Sequence, residues 1–186
     1  MGGSSFPADA SSYPVDVRAV KADDLDAVTK IYAHHVLHGT GTFELEPPDR
    51  TVIAARIAAV EAVGLPYLVG LDEAGVAGFA YAGPYRTRPA YRQKVEDSIY
   101  LRPDAVGRGV GTALLSALIA ACEAWGARQV VAVIGDSANT ASVRLHDACG
   151  FSYVGTLRSV GWKHGRWLDT VIMQRALGPG DASPPG

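Results

Sequence analysis

Apolar residues recur along this chain at two spacings, and the switches between them mark out the elements. Val15, Val17 and Val20 suggest a first strand. Ala22-Asp23-Asp24 then caps a helix whose apolar face carries Leu25, Val28, Ile31, Tyr32 and Val36, and Gly39-Thr40-Gly41 ends it. After an irregular stretch holding Phe43 and Pro47-Pro48, a second helix runs from about Arg50 to Val63, with Ile53, Ile57 and Val60 on one side, until Gly64-Leu65-Pro66 breaks it. Tyr67 to Leu71 and Val76 to Tyr81 flank Asp72-Glu73-Ala74-Gly75 as a hairpin. A strand from Gln93 to Leu101 follows, then a helix from Gly109 to Trp125 with Leu114, Leu115, Leu118, Ile119 and Cys122 at helical spacing. Val130 to Ile134 reads as a short buried strand, and Asn139 to Ala148 as a short helix that Gly150 closes. Phe151 to Val160 and Trp167 to Ala176 complete the pattern around a Lys163-His164-Gly165-Arg166 turn.

The order β, α, α, β, β, β, α, β, α, β, β predicts an α/β domain over residues 15–177, with a mixed, mostly antiparallel sheet of about seven strands and helices on both faces. Residues 1–14 and 178–186 are rich in Gly, Ser and Pro, too poor in apolar surface to offset their ordering entropy, and are expected to be flexible tails. With 186 residues, 48% apolar and 19% charged, and a net charge of −2, the composition gives no sign of a nucleic-acid-binding surface. No apolar run approaches the ~20 residues of a membrane helix, and the start of the chain lacks a signal-peptide pattern, so a cytoplasmic enzyme without membrane contact is expected. Cys122 and Cys149 lack metal-ligand or redox spacing and are expected to be buried thiols, with no metal site.

The chemistry begins at Val106-Gly107-Arg108-Gly109-Val110-Gly111-Thr112, between a strand and a helix. Alternating glycines let successive backbone N–H groups face one point, and the helix aims its positive end at the same point, which makes an anion site suited to phosphate oxygens. A Walker loop would need Gly-Lys-Ser or Gly-Lys-Thr, and neither is present. A dinucleotide fingerprint would need G-x-G-x-x-G in an early strand-to-helix unit with an acidic residue roughly 20 positions on.

The turn resembles instead the acetyl-CoA signature of the GNAT superfamily of N-acetyltransferases, Q/R-x-x-G-x-G/A, with Val106 at the position of the usual Gln or Arg. The resemblance is closest to the phosphinothricin and methionine sulfoximine acetyltransferases. It runs through Tyr85 to Arg92, Val95 to Tyr100, Val133-Ile134-Gly135-Asp136, Asn139, Ser142, Leu145-His146, Gly150-Phe151 and Gly165 to Asp169. It implies acetyl-CoA as acetyl donor, bound by Ile99, Tyr100, Leu101, the Val106 to Thr112 turn, Asn139 and Ser142. It implies Glu96 as general base and His146 as donor of a proton to the departing thiolate. A homodimer built on the final strand and the Lys163 to Asp169 turn is implied as well.

Period-two alternation places Glu96, Ser98 and Tyr100 on one face of their strand and Val95, Asp97, Ile99 and Leu101 on the other. A bulge over Ser98 to Leu101 is expected to free backbone groups for the pantetheine amides, one N–H polarising the thioester oxygen. Arg86 and Arg88, two apart in an extended segment beside Arg92, suit a grip on a substrate carboxylate. Phe43, Tyr91, Tyr100, Gly135 and Trp162 are expected around the substrate. Plainer readings stand beside these: a salt-bridged Glu96, a packed His146, Asn139 as a helix cap, and a solvated arginine loop. Asp72-Glu73 and His34-His35 draw no functional reading.

The expected reaction is direct transfer of an acetyl group to the neutral amine of a small amino-acid-like substrate. An α-amine with a pKa near ~8 costs about 1.4 kcal/mol to deprotonate at pH 7, against about 4.6 kcal/mol for one near ~10.4. Acetylation of another amine (a polyamine, an aminoglycoside or a protein N-terminus) and a silent acyl-CoA-binding module are the competing readings.

Overall fold

The computed structural model describes residues 15–184. The expected N-terminal tail, residues 1–14, lies outside the described residues. Seven strands pair in the order β1-β2-β3-β4-β5-β7-β6: β1 (Asp16–Ala19), β2 (Tyr67–Asp72), β3 (Gly75–Pro84), β4 (Lys94–Leu101), β5 (Gln129–Gly135), β6 (Ser152–Lys163) and β7 (Arg166–Ala176). Every adjacent pair is antiparallel except β4 and β5. A parallel pair needs a crossover, and α3 (Val110–Trp125) supplies it.

The sheet divides two cores. On one face α1 (Leu25–His38) and α2 (Arg50–Ala62) bury Val28, Ile31, Val36, Ile53 and Ile57 against Val69, Phe79 and Tyr100. On the other, α3 buries Leu114, Leu115, Leu118 and Cys122 against Ala80, Ala82, Val95 and Ala132. Tyr100 therefore faces the α1 side while Val95, Ile99 and Leu101 pack toward α3, as the alternation along β4 requires. Both cysteines are free and buried, and burial pushes the Cys122 thiol up to about 12.

Local chemistry sets the helix ends. Asp49 caps α2 by accepting from Val52 N–H at 2.9 Å, and Asn139 caps α4 (Thr140–Ala148) by accepting from Ser142 N–H at 3.3 Å. Gly150 follows α4 at φ +81°. Strand boundaries reach further than the periodicity suggests: β3 continues to Pro84 and β6 to Lys163, where cross-strand pairing holds residues that alternation alone does not mark. Beyond Leu177 the chain turns back, and Arg128 donates to the Ser183 carbonyl at 3.1 Å and its hydroxyl at 2.9 Å. Residues 185–186 lie outside the described residues.

Candidate active site

Strands β4 and β5 pair from Lys94↔Gln129 to Asp97↔Ala132, and the pairing stops there although both strands continue. The direction of the β4 backbone follows from the hydrogen bonds around it. Arg102 N–H donates to Ala77 and Lys94 C=O accepts from Tyr85, so even-numbered residues turn their polar groups to β3. Gln93 C=O accepts from Arg128, so odd-numbered ones turn toward β5. Past Asp97, then, the N–H and C=O groups of Ile99 and Leu101 face the gap between the strands. The expected bulge is absent: β3 and β4 keep an unbroken register from Pro84↔Val95 to Gly78↔Leu101. The groups have no strand partner because the parallel neighbour diverges.

The gap opens into a cleft of about 770 Å³. Ser98 to Leu101 and Ala132 to Ile134 form its two strand walls, the glycine turn and α4 its far end, and Gly39 to Gly41 its near rim. Val106, Gly107, Gly109, Gly111, Thr112, Asn139, Ser142 and His146 all line it.

The three glycines of the turn serve different ends. Gly107 (φ +79°) and Gly109 (φ +82°) need the left-handed region, with open space where a Cβ would stand. At Gly111 a Cβ would sit 3.2 Å from Leu145 Cδ2, so its absence lets α4 approach α3. Gly109 leaves the first N–H groups of α3 without a side-chain cap, which frees them for an anion. Two residues of the turn are held from elsewhere in the fold. The Val110 side chain is buried in the α3-side core, leaving its backbone to meet a ligand, and the Arg108 guanidinium is 3.5 Å from Asp72. Asp72 also accepts from Arg102 at 2.8 Å, so the β2–β3 turn anchors the segment that carries the glycines.

His146 is 2% exposed. Its Nδ1 lies 2.8 Å from the Ser142 carbonyl and its Nε2 3.0 Å from Asp97 Oδ2. A carbonyl oxygen only accepts, so Nδ1 carries a proton, and the charged imidazolium form would place one on Nε2 facing Asp97 as well. Burial opposes that charge, yet the Asp97 partner outweighs it and the imidazole pKa is raised. With both nitrogens engaged, His146 ties α4 to β4 in this arrangement, and it also lines the cleft. Asp97 Oδ1 is buried without a partner.

Glu96 is half-buried on the α1-facing side of β4. Burial raises its pKa, the adjacent Asp97 carboxylate raises it further, and the Arg86 guanidinium draws it back. Arg86 lies over the Tyr85 ring at 4.7 Å, and Arg88 and Tyr91 are exposed in the same loop. Phe43 rests on Gly135 and Gly161, where a Cβ would come within 3.1 and 2.4 Å of its ring. The segment bearing Phe43 is held by buried Lys163, whose ammonium donates to the Thr42 carbonyl at 2.8 Å, and by Tyr32, whose hydroxyl donates to Glu44 at 3.0 Å. Tyr100 is buried edge-on to Tyr32, 5.0 Å between ring centres. Of the expected substrate residues only Tyr100 lines the cleft; Trp162 is exposed on β6 against Trp167.

The acetyltransferase (GNAT) family pattern matches residues 30–151, which hold the open edge of β4, the glycine turn and α4. The chain belongs to this family. The phosphinothricin N-acetyltransferase of Alcaligenes faecalis is 56% identical over 169 residues, 91% of this chain and 86% of that protein. An L-methionine sulfoximine/L-methionine sulfone acetyltransferase of Salmonella typhimurium is 37% identical, covering 87% of this chain and 94% of its own. The crystal structure of a GNAT superfamily phosphinothricin acetyltransferase from Sinorhizobium meliloti in complex with acetyl-CoA has a TM-score of 0.89 and 48% identity, covering 92% and 93% of the two chains.

This GNAT chain is accordingly an acetyltransferase, and acetyl-CoA is its acetyl donor. The residues present fit that donor: an unpaired strand edge for amides, an uncapped helix start for phosphate, and a cleft joining them. Bound there, acetyl-CoA supplies an activated thioester. Three polar contributors escaped the sequence reading. Asp72 holds the turn, Asp97 holds His146, and His35, on the cleft wall, places Nε2 2.8 Å from the Leu101 carbonyl. Among the described residues no group of His, Cys, Asp or Glu is arranged to hold a metal ion, and no helix is long and apolar enough to cross a membrane.

Proposed function

We propose that this enzyme acetylates the α-amine of a small amino-acid-like substrate of the phosphinothricin, methionine sulfoximine or methionine sulfone type, with Glu96 as general base. The observation that carries the reading is the half-buried Glu96 carboxylate with Arg86 near enough to act on it. A base beside a cation matches a substrate that has an amine to deprotonate and a carboxylate to hold. The names of the relatives support a substrate of this class.

Glu96 takes a proton from the substrate ammonium, and the neutral nitrogen attacks the thioester carbonyl. An N–H of Ile99 or Leu101 stabilises the oxyanion, and collapse expels the CoA thiolate, which takes up the second proton that the acylated nitrogen sheds as it becomes an amide. Arg86 and Arg88 orient the substrate carboxylate, Phe43, Tyr91, Tyr100 and Gly135 enclose the rest, and His146 keeps α4 in place over the donor. The protein works in the cytoplasm as a homodimer, a reading supported by the unpaired thiols and by the apolar surface of β6.

Thiol release from acetyl-CoA, measured across the three amino acids, a polyamine and an aminoglycoside, tests the substrate class. Turnover confined to the amino acids is expected, and turnover of the cationic amines alone overturns the reading. Glu96→Gln is expected to lower kcat by about 10² to 10⁴ while leaving acetyl-CoA affinity intact; unchanged kcat removes Glu96 from the mechanism.

A further inference from the structure

The open edge of β4 offers four backbone groups, the N–H and C=O of Ile99 and of Leu101, and one of them is already taken. His35, on α1, places Nε2 2.8 Å from the Leu101 carbonyl. The carbonyl can only accept, so Nε2 carries the proton. The ring is held in that pose by the tilted Tyr100 ring at 5.4 Å and by the close approach of Gly39, where a Cβ would stand 3.4 Å from Nδ1. Burial lowers the His35 pKa, the bond to the Leu101 carbonyl draws it partly back, and His34 and Lys163 lower it further, so the balance favours the neutral ring with a single N–H. His35 itself lines the cleft beside Leu101.

We propose that His35 is a positioning residue that fixes the register in which the acyl-carrying arm of the donor reads the β4 edge. With the Leu101 carbonyl capped, an extended ligand containing amides meets the Ile99 carbonyl and the Leu101 N–H as its free acceptor and donor. An arm that used the Leu101 carbonyl would be displaced along the strand by two residues, about 6.6 Å at ~3.3 Å per residue, and would carry its thioester away from Glu96. Without His35, that carbonyl is either left unpaired beneath the arm or draws the arm into the displaced register. Both outcomes weaken productive binding of the arm, and neither touches the glycine turn that receives the phosphates. The inference concerns the donor and holds whichever amine is acetylated.

The test separates the arm from the nucleotide. For His35→Ala, kcat/KM for acetyl-CoA is expected to fall on the order of 10-fold, the size of a buried acceptor left unpaired. The Kd for adenosine 3′,5′-bisphosphate, which lacks the arm, is expected to match the parent enzyme by calorimetry. His35→Gln, which can return an N–H to nearly the same point, is expected to recover most of the loss. Unchanged kcat/KM in His35→Ala overturns the proposal, and so does an equal loss of affinity for the bisphosphate, since that would mark general damage to the cleft.

Discussion

At Glu96 three influences meet, and their signs determine how the enzyme responds to pH. Burial and Asp97 raise the pKa, and Arg86 lowers it. A general base works only when ionised, so activity is lost as pH falls through the folded-state value, which stands above that of a free glutamate. Arg86→Ala removes the one lowering influence, and the acid limb of kcat/KM is expected to move to higher pH. Asp97→Asn removes a raising one and is expected to move it lower. A limb that stays fixed in both variants would detach it from Glu96. Stability runs opposite to that of an ordinary ion-paired carboxylate. Between the unfolded and folded pKa values the folded state holds the extra proton, so the Glu96 contribution declines as pH rises through that window.

What the sequence discloses at this scale depends on separation along the chain. Asn139 as a cap, the left-handed glycines and the two faces of β4 are set within a few residues, and each is readable from its neighbours. The His35–Leu101, His146–Asp97 and Lys163–Thr42 bonds join residues 66, 49 and 121 positions apart, and only the folded sheet brings them together. Phe43 and Gly135 follow the same rule, since the glycine makes sense only once the aromatic ring is seen to rest on it.

Between elements, the decisive feature is a disagreement between neighbours. The expected bulge would have been an irregularity within β4. The cleft comes instead from β5 leaving β4, and periodicity within one strand carries no trace of its partner's course. Close approach between elements is measurable at the glycines. Gly109→Ala forces a Cβ into the left-handed region without a clash and is expected to cost about 1 to 2 kcal/mol. Gly135→Ala would put a Cβ 2.2 Å from the Thr40 carbonyl oxygen, a backbone atom with little room to yield, and is expected to cost more, about 2 to 3 kcal/mol. Thermal unfolding checks the order: at ~2 to 4 °C per kcal/mol for a domain of this size, Gly135→Ala melts below Gly109→Ala. The reverse order would mean that the rim carrying Thr40 and Phe43 is free to move.

For the whole molecule, β6 is the unresolved liability of the fold. It closes one end of the sheet, and an edge strand with apolar side chains invites pairing with another chain. Leu157, Val160 and Trp162 are 55, 50 and 57% exposed on it, Tyr153 and Val154 62 and 58%, and Trp167 on β7 adds 59%. A monomer gains nothing from so much apolar surface gathered at one edge, whereas a twofold dimer would bury the same patch on both partners. The same strands reach the site, because β6 supplies Lys163, which holds the Thr42 carbonyl, and Gly161, on which Phe43 rests. Dimerisation would therefore steady the wall that carries Phe43. Sedimentation at micromolar concentration is expected to show a dimer for the parent protein and a monomer for Leu157→Asp combined with Val160→Asp. The amine KM of that monomer is expected to rise several-fold while adenosine 3′,5′-bisphosphate affinity stays level, because the glycine turn lies on α3. A parent protein that sediments as a monomer would refute the dimer. A dissociated variant with an unchanged amine KM would leave the dimer standing and remove its link to the Phe43 wall.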